Sequence, residues 1–142
     1  MQGVAQEFAA ATIAELSLLI ASRDSVVLCG GITPLVALLR NGRNDGRKFA
    51  ARALARMAHG TKDDTAAEIA KAGAVSPLVS LLNGDRGDAA QEEAAGALFE
   101  LAANEGNRIA ITDCDGIGPL VSLLGCSNSR TREHAEGALV RL

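Results

Sequence analysis

The chain has 142 residues, the size of one ordinary domain, and a formal net charge of −3. That balance supplies no field to draw it to nucleic acid or to an anionic membrane, and an aromatic content of 2%, with no Trp or Tyr, leaves no platform for stacking bases. Hydrophobic content is 48%, much of it Ala, which favours close-packed helices over sheet. The three cysteines, Cys29, Cys114 and Cys126, are odd in number and irregularly spaced, the usage of a reducing compartment. The apolar run Leu16-Ser17-Leu18-Leu19-Ile20-Ala21 is too short to span a bilayer and has acidic rather than basic residues before it. A soluble protein of the cytoplasm or nucleus is therefore expected.

In chain order, the first predicted element is a helix around Glu7-Phe8-Ala9-Ala10-Ala11-Thr12-Ile13. Next, Gly30 precedes the phrase Thr33-Pro34-Leu35-Val36-Ala37-Leu38-Leu39, and a further helix carries Ala51-Arg52-Ala53-Leu54. The fullest unit runs from Thr61 to Asn104. Asp63 and Asp64 suit an N-cap and first turn, where a helix dipole favours acids. Ala66, Ala67, Ile69 and Ala70 form a short apolar stripe, ended by Gly73. Ser76 is expected to cap a second helix with Pro77 at its first position, Leu78, Val79, Leu81 and Leu82 on its buried face and Asn83-Gly84 as its stop. A polar loop, Asp85-Arg86-Gly87, leads to a third helix from about Asp88 to Ala103.

The phrase then returns. Pro34, Pro77 and Pro119 each open a Pro-Leu-Val block, stepping by 43 and then 42 residues. Leu54, Leu98 and Leu139 of the third helices step by 44 and 41, and Glu92–Leu98 matches the opening Glu7–Ile13. A fixed period near 40 residues signals one supersecondary unit stacked on copies of itself.

Ile69-Ala70-Lys71-Ala72-Gly73-Ala74-Val75-Ser76-Pro77-Leu78-Val79-Ser80-Leu81-Leu82, Gly106-Asn107-Arg108-Ile109-Ala110-Ile111 and the Glu92–Ala102 helix resemble the armadillo repeat. The resemblance implies an all-α, right-handed solenoid of three-helix repeats, about three and a half of them, forming a single domain over 1–142 with pieces near 1–22, 23–60, 61–104 and 105–142. It also implies a protein-interaction scaffold whose third helices line a groove for a partner protein or extended peptide. A segment of a larger regulatory protein, such as a U-box ubiquitin ligase, is the alternative. In the last repeat Asp115 stands where Gly30 and Gly73 stand before it, with Gly116 expected to take over their role. The importin-α adaptors use a Trp and Asn ladder; here the Trp positions read Ala11, Arg52, Gly96 and Gly137, and the Asn positions Glu15, Arg56, Glu100 and Arg141, so that role does not carry over.

The candidate groove residues are thus Lys48, Arg52, Arg56, Glu93, Gly96, Glu100 and Arg141. Lys48, Arg52 and Arg56 share a helix face and make a basic patch for an acidic or phosphorylated segment, unless Arg56 is spent on Glu15 and Glu100 of neighbouring repeats. Gly96 and Gly137 are expected either to allow close helix packing or to receive a partner's backbone. Asp113-Cys114-Asp115-Gly116 lacks the twelfth-position Glu of a calcium loop, and His59 and His134, expected to be far apart in the stack and each near a helix end, are set aside as ligands or bases. No metal, cofactor, nucleic-acid partner or catalytic constellation is called for. The ends carry no specialised cap, so a longer array or a homo-oligomer through the uncapped ends is expected.

Overall fold

The computed structural model describes residues 2–16, 20–59, 63–84 and 89–142. Among these are ten helices: α1 (Gln2–Leu16), α2 (Ile20–Leu28), α3 (Ile32–Asn41), α4 (Asn44–Ala58), α5 (Asp63–Lys71), α6 (Val75–Leu82), α7 (Ala89–Leu101), α8 (Glu105–Asp113), α9 (Ile117–Leu123) and α10 (Ser129–Arg141). One lone third helix, α1, is followed by three units of short, short and longer helix. The boundary expected near residue 22 falls inside α2. Ser17-Leu18-Leu19, Thr61, the Asp85-Arg86-Gly87 loop and Asp88 lie outside the described residues. No single described helix is long and apolar enough to cross a membrane.

The second helices carry the repeated phrase, and their spacing fixes which face is buried. Ile32, Leu35, Val36 and Leu39 in α3, and Val75, Leu78, Val79 and Leu82 in α6, recur at i, i+3, i+4 and i+7 and are all buried. Each fully buried side chain of this kind contributes about 1.5–3 kcal/mol. In α9 the same pattern is satisfied at one position of the four. Leu120 is buried, but Ile117, Val121 and Leu124 are 43%, 51% and 43% exposed, against 7% or less for their counterparts in α3 and α6. Those counterparts are covered by the following unit: Val79, for example, lies against the backbone at Gly116.

Ser76 does not cap α6. The helix begins at Val75, the cap is Ala74 without any side-chain bond, and the first backbone bond runs from the Leu78 N–H to the Ala74 carbonyl at 3.1 Å. Gly73, with φ +88°, turns the chain so tightly that the helix starts two residues early. Pro77 still falls in the first turn, where its missing N–H has no intrahelical partner to lose. Gly30 has the same left-handed conformation, φ +74°. In the last unit Asp115 itself adopts it, φ +58°, while Gly116 is right-handed and caps α9; Gly116 therefore does not take over. A short polar side chain tolerates this region better than most, at a residual cost. α7 stops at Leu101, two residues early, because Ala103 and Asn104 bond back to Glu100 and Leu101 in a tightened turn.

The strongest packing runs along the third helices: α1 on α4, α4 on α7, α7 on α10. Small residues make this approach possible. Ala53, Ala97 and Ala138 occupy one equivalent position and are each 0% exposed. Buried polar side chains lock units to one another: the Asn107 Nδ2 amide donates to the Ala66 carbonyl of the preceding unit at 3.0 Å and to the Leu101 carbonyl at 3.1 Å. Within one unit, Gln91 Nε2 donates to the Leu82 and Gly84 carbonyls, both at 2.9 Å, and ties α7 to the end of α6.

Replacing Ala53, Ala97 or Ala138 by Phe is expected to cost about 1–3 kcal/mol each by overpacking the layer, read from urea unfolding. Asp115→Gly is expected to raise stability by about 0.5–1 kcal/mol, whereas Gly73→Ala, which forces a side chain into the left-handed region and onto Arg40, lowers it. Equal effects of the two changes would contradict the assignment of Asp115 as the strained member of the set.

Candidate functional site

α4, α7 and α10 supply the exposed face of the third-helix layer. A cavity of about 390 Å³ opens there, lined by Arg52, Ala55, Arg56 and His59 from α4 and its cap, Glu93, Gly96 and Glu100 from α7, and Arg130 and His134 from α10. Five of the seven residues predicted for the groove thus line one opening. Lys48 and Arg141 are not in its lining. Lys48 turns to Asp45 of its own helix, 3.4 Å away, with its ammonium 4.6 Å from the Phe49 ring centre.

Arg52 and Glu93 join α4 to α7. The guanidinium Nε and Nη2 reach the same carboxylate oxygen, Oε1, at 2.7 and 2.6 Å. The Glu93 hydrogen bond raises the Arg52 pKa above its ordinary value, burial opposes the rise, and the nearby charges of Glu93, Glu15 and Glu92 add to it. A raised cation stabilises the fold below its unfolded pKa and loses that contribution only as pH climbs through the folded one. For an arginine this lies beyond ordinary conditions, so Arg52 stays charged throughout the working range.

The row expected to alternate as Glu15, Arg56, Glu100 and Arg141 is explained by helix ends. Arg56 Nη1 donates to the Ala14 carbonyl, in the last turn of α1, and lies 3.3 Å from Glu15. One full turn of the pattern later, Arg141 Nη1 donates to the Phe99 carbonyl in the last turn of α7, with its guanidinium 3.7 Å from the Phe99 ring centre. Of the four last carbonyls of α7, those of Leu98, Glu100 and Leu101 accept from the backbone N–H groups of Ala102, Ala103 and Asn104. Phe99 remains, and the arginine of the next unit takes it. At the end of α4 the equivalent carbonyl, Ala55, already accepts the His59 N–H at 3.0 Å. No donor is needed from the next helix, and Glu100 stands there instead, 3.0 Å from His59 Nδ1. The pairing of Arg56 with Glu15 is thus present, but Glu100 pairs with His59 rather than with Arg56.

Gly96 and Gly137 are packing residues. A Cβ on Gly96 would meet the His134 ring at 3.1 Å, and one on Gly137 would meet the Phe99 ring at 2.6 Å. The two rings stack with centroids 6.2 Å apart. His59 and His134, set aside from sequence as distant from each other, therefore line the same opening. Helical spacing could have found His134, since Glu93 and His134 occupy equivalent positions 41 residues apart. Arg130, also unpredicted, lies 3.5 Å from Glu92, which accepts from Asn128 Nδ2 at 3.0 Å.

A stack of three-helix units joined through their third helices is the architecture of an α-solenoid. The family model described as Armadillo/beta-catenin-like repeat matches residues 62–103 and 104–142, one helix triplet each and together more than half of the chain. The protein belongs to the armadillo repeat family. Among solved structures it is similar to an engineered protein of the Northeast Structural Genomics Consortium, at 35% identity and a TM-score of 0.89 over 98% of this chain and 56% of that one. It is similar also to a computationally designed armadillo repeat protein for modular peptide recognition, at 26% identity and a TM-score of 0.85 over 99% of this chain and 63% of that one. A third, a designed armadillo repeat protein in complex with the peptide (KR)4, is 26% identical, with a TM-score of 0.82 over 95% of this chain and 55% of that one. The chain thus spans little more than half the length of these structures. No match was found among curated proteins.

Arg56→Ala and Arg141→Ala are each expected to cost about 1–2 kcal/mol in chemical unfolding, because each strands a helix-end carbonyl. Glu15→Ala, which removes only the exposed ion-pair partner, is expected to stay within about 0.5 kcal/mol.

Proposed function

We propose that the face of α4, α7 and α10 holds an extended segment of a partner protein, and that the chain acts as an interaction scaffold rather than as a catalyst. The observation that carries this reading is the opening of about 390 Å³ lined by charged side chains from three successive units. The complex of one similar designed protein with the peptide (KR)4 supports it. The charges in the opening come as pairs bridging helices, so both signs are on offer, the acids partly buried and Arg130 exposed. Glu93 and Glu100, with side chains 19% exposed, accept from a partner's cations. Arg130, at 73%, is the cation of this opening most exposed to a partner's carboxylate. An all-acidic segment would have to displace Glu93 from Arg52 and Glu15 from Arg56. A segment of mixed charge needs no such displacement, and it is the partner this face suits best.

Selection from a library holding acidic, basic and alternating-charge peptides is expected to enrich sequences with both signs. Arg130→Glu is expected to weaken the selected peptide about tenfold with no change in melting temperature. Enrichment of uncharged peptides, or binding indifferent to Arg130→Glu and to Glu100→Arg, would contradict this reading.

A further inference from the structure

A second cavity, of about 370 Å³, shares no residue with the groove. Its walls come from the end of α3, the start of α4 and the length of α6, and include Arg40, Arg47, Ser76, Pro77, Ser80 and Leu81. Two guanidinium groups thus meet in one recess, and neither has a carboxylate within 4.0 Å among the described residues. Among the described residues both are held by backbone oxygens alone. Arg40 Nη2 donates to the Gly73 carbonyl at 3.1 Å, and Arg47 Nη2 donates to the Arg40 carbonyl at 3.3 Å. A carbonyl fixes the direction of an arginine but does not neutralise it. The Nε of Arg47 is buried without an acceptor among the described residues. The cation excess is local: Arg40, Arg43, Arg47 and Lys48 fall within nine residues with Asp45 as the one acid, in a chain whose net charge is −3. Asp45 is taken by Lys48.

The remaining wall adds donors. The first turn of α6 lines the cavity, and that helix has no side-chain cap, so the positive end of its dipole is uncompensated. Ser76 is exposed and its hydroxyl has no protein partner among the described residues; Ser80 Oγ donates to the Ser76 carbonyl at 3.1 Å. Two arginine forks, a hydroxyl and a helix N-terminus match the many acceptor lone pairs of a phosphate far better than the single plane of a carboxylate.

The geometry points to a binding site for a phosphate monoester in the recess between α3, α4 and α6, with Arg40 and Arg47 as its charge partners and Ser76 as a neutral donor. The ester is borne either by a phosphorylated segment or by a free small molecule. The two are separated by titrating the chain with inorganic phosphate and with the pentapeptide Gly-Gly-phosphoserine-Gly-Gly at constant ionic strength, following backbone amides by NMR. Both probes are expected to shift the Arg47, Ser76 and Ser80 amides and to leave Gly96 and His134 of the groove unmoved. Arg40→Gln is expected to weaken binding by at least about tenfold. Ser80→Asp, an exposed position where a carboxylate would sit beside both arginines, is expected to do the same without removing a contact between helices. Tighter binding of the pentapeptide assigns a phosphorylated segment; equal affinities assign a free anion. The proposal is overturned if neither probe moves these amides, or if the parent and both variants respond alike.

Discussion

Close approach of the third helices is the constraint on which the rest of this structure depends. α1, α4, α7 and α10 lie side by side because their facing positions are small: Ala53, Ala97 and Ala138 are fully buried, and Gly96 and Gly137 admit the rings of His134 and Phe99. At that separation a side chain on one helix reaches the main chain of the next. Arg56 and Arg141 can therefore close the helix ends at Ala14 and Phe99, and Arg52 can hold Glu93. Bulkier facing residues would part the helices and release all of these bonds together.

The same constraint gives the exposed face its chemistry. Charges that stitch neighbouring helices must lie at the layer's surface, since burying them unpaired would cost several kcal/mol. They become the lining of the opening at no further cost to the fold. The alternation of sign along the row follows from which helix-end carbonyl is already satisfied by backbone. Where His59 N–H serves Ala55, an acid is tolerated at Glu100; where Phe99 is left over, an arginine follows at 141. A groove built in this way presents opposite charges in register with its own repeats, which sets the spacing at which a bound segment can place its own charges.

Much of the fold was legible because it is periodic. The Pro-Leu-Val blocks and the spaced leucines located the second and third helices, and the third-helix alignment brought five of the seven groove residues to one opening. What escaped was non-periodic. Ser76 has the residue type of a cap, but the turn at Gly73 starts the helix two residues sooner. Asp115 looked displaced by Gly116, yet it keeps the left-handed position because the turn geometry is fixed by the helices on either side. His59 and His134 are far apart along the chain, and only the side-by-side layer brings them to one opening. Pairing partners were ambiguous for the same reason: spacing gives the row, while the choice between Glu15, Glu100 and a bare carbonyl for Arg56 depends on backbone groups that no side-chain pattern records.

The central claim is that the third-helix face both holds the units together and receives a partner. Its most direct test is amide NMR of the chain titrated with a peptide selected for binding. The account predicts shifts concentrated at Arg52, Glu93, Gly96, Glu100, Arg130 and His134, with the second helices α3, α6 and α9 silent. Shifts confined to the second helices, or to the exposed apolar residues Ile117, Val121 and Val140, would contradict it and place recognition elsewhere on the solenoid.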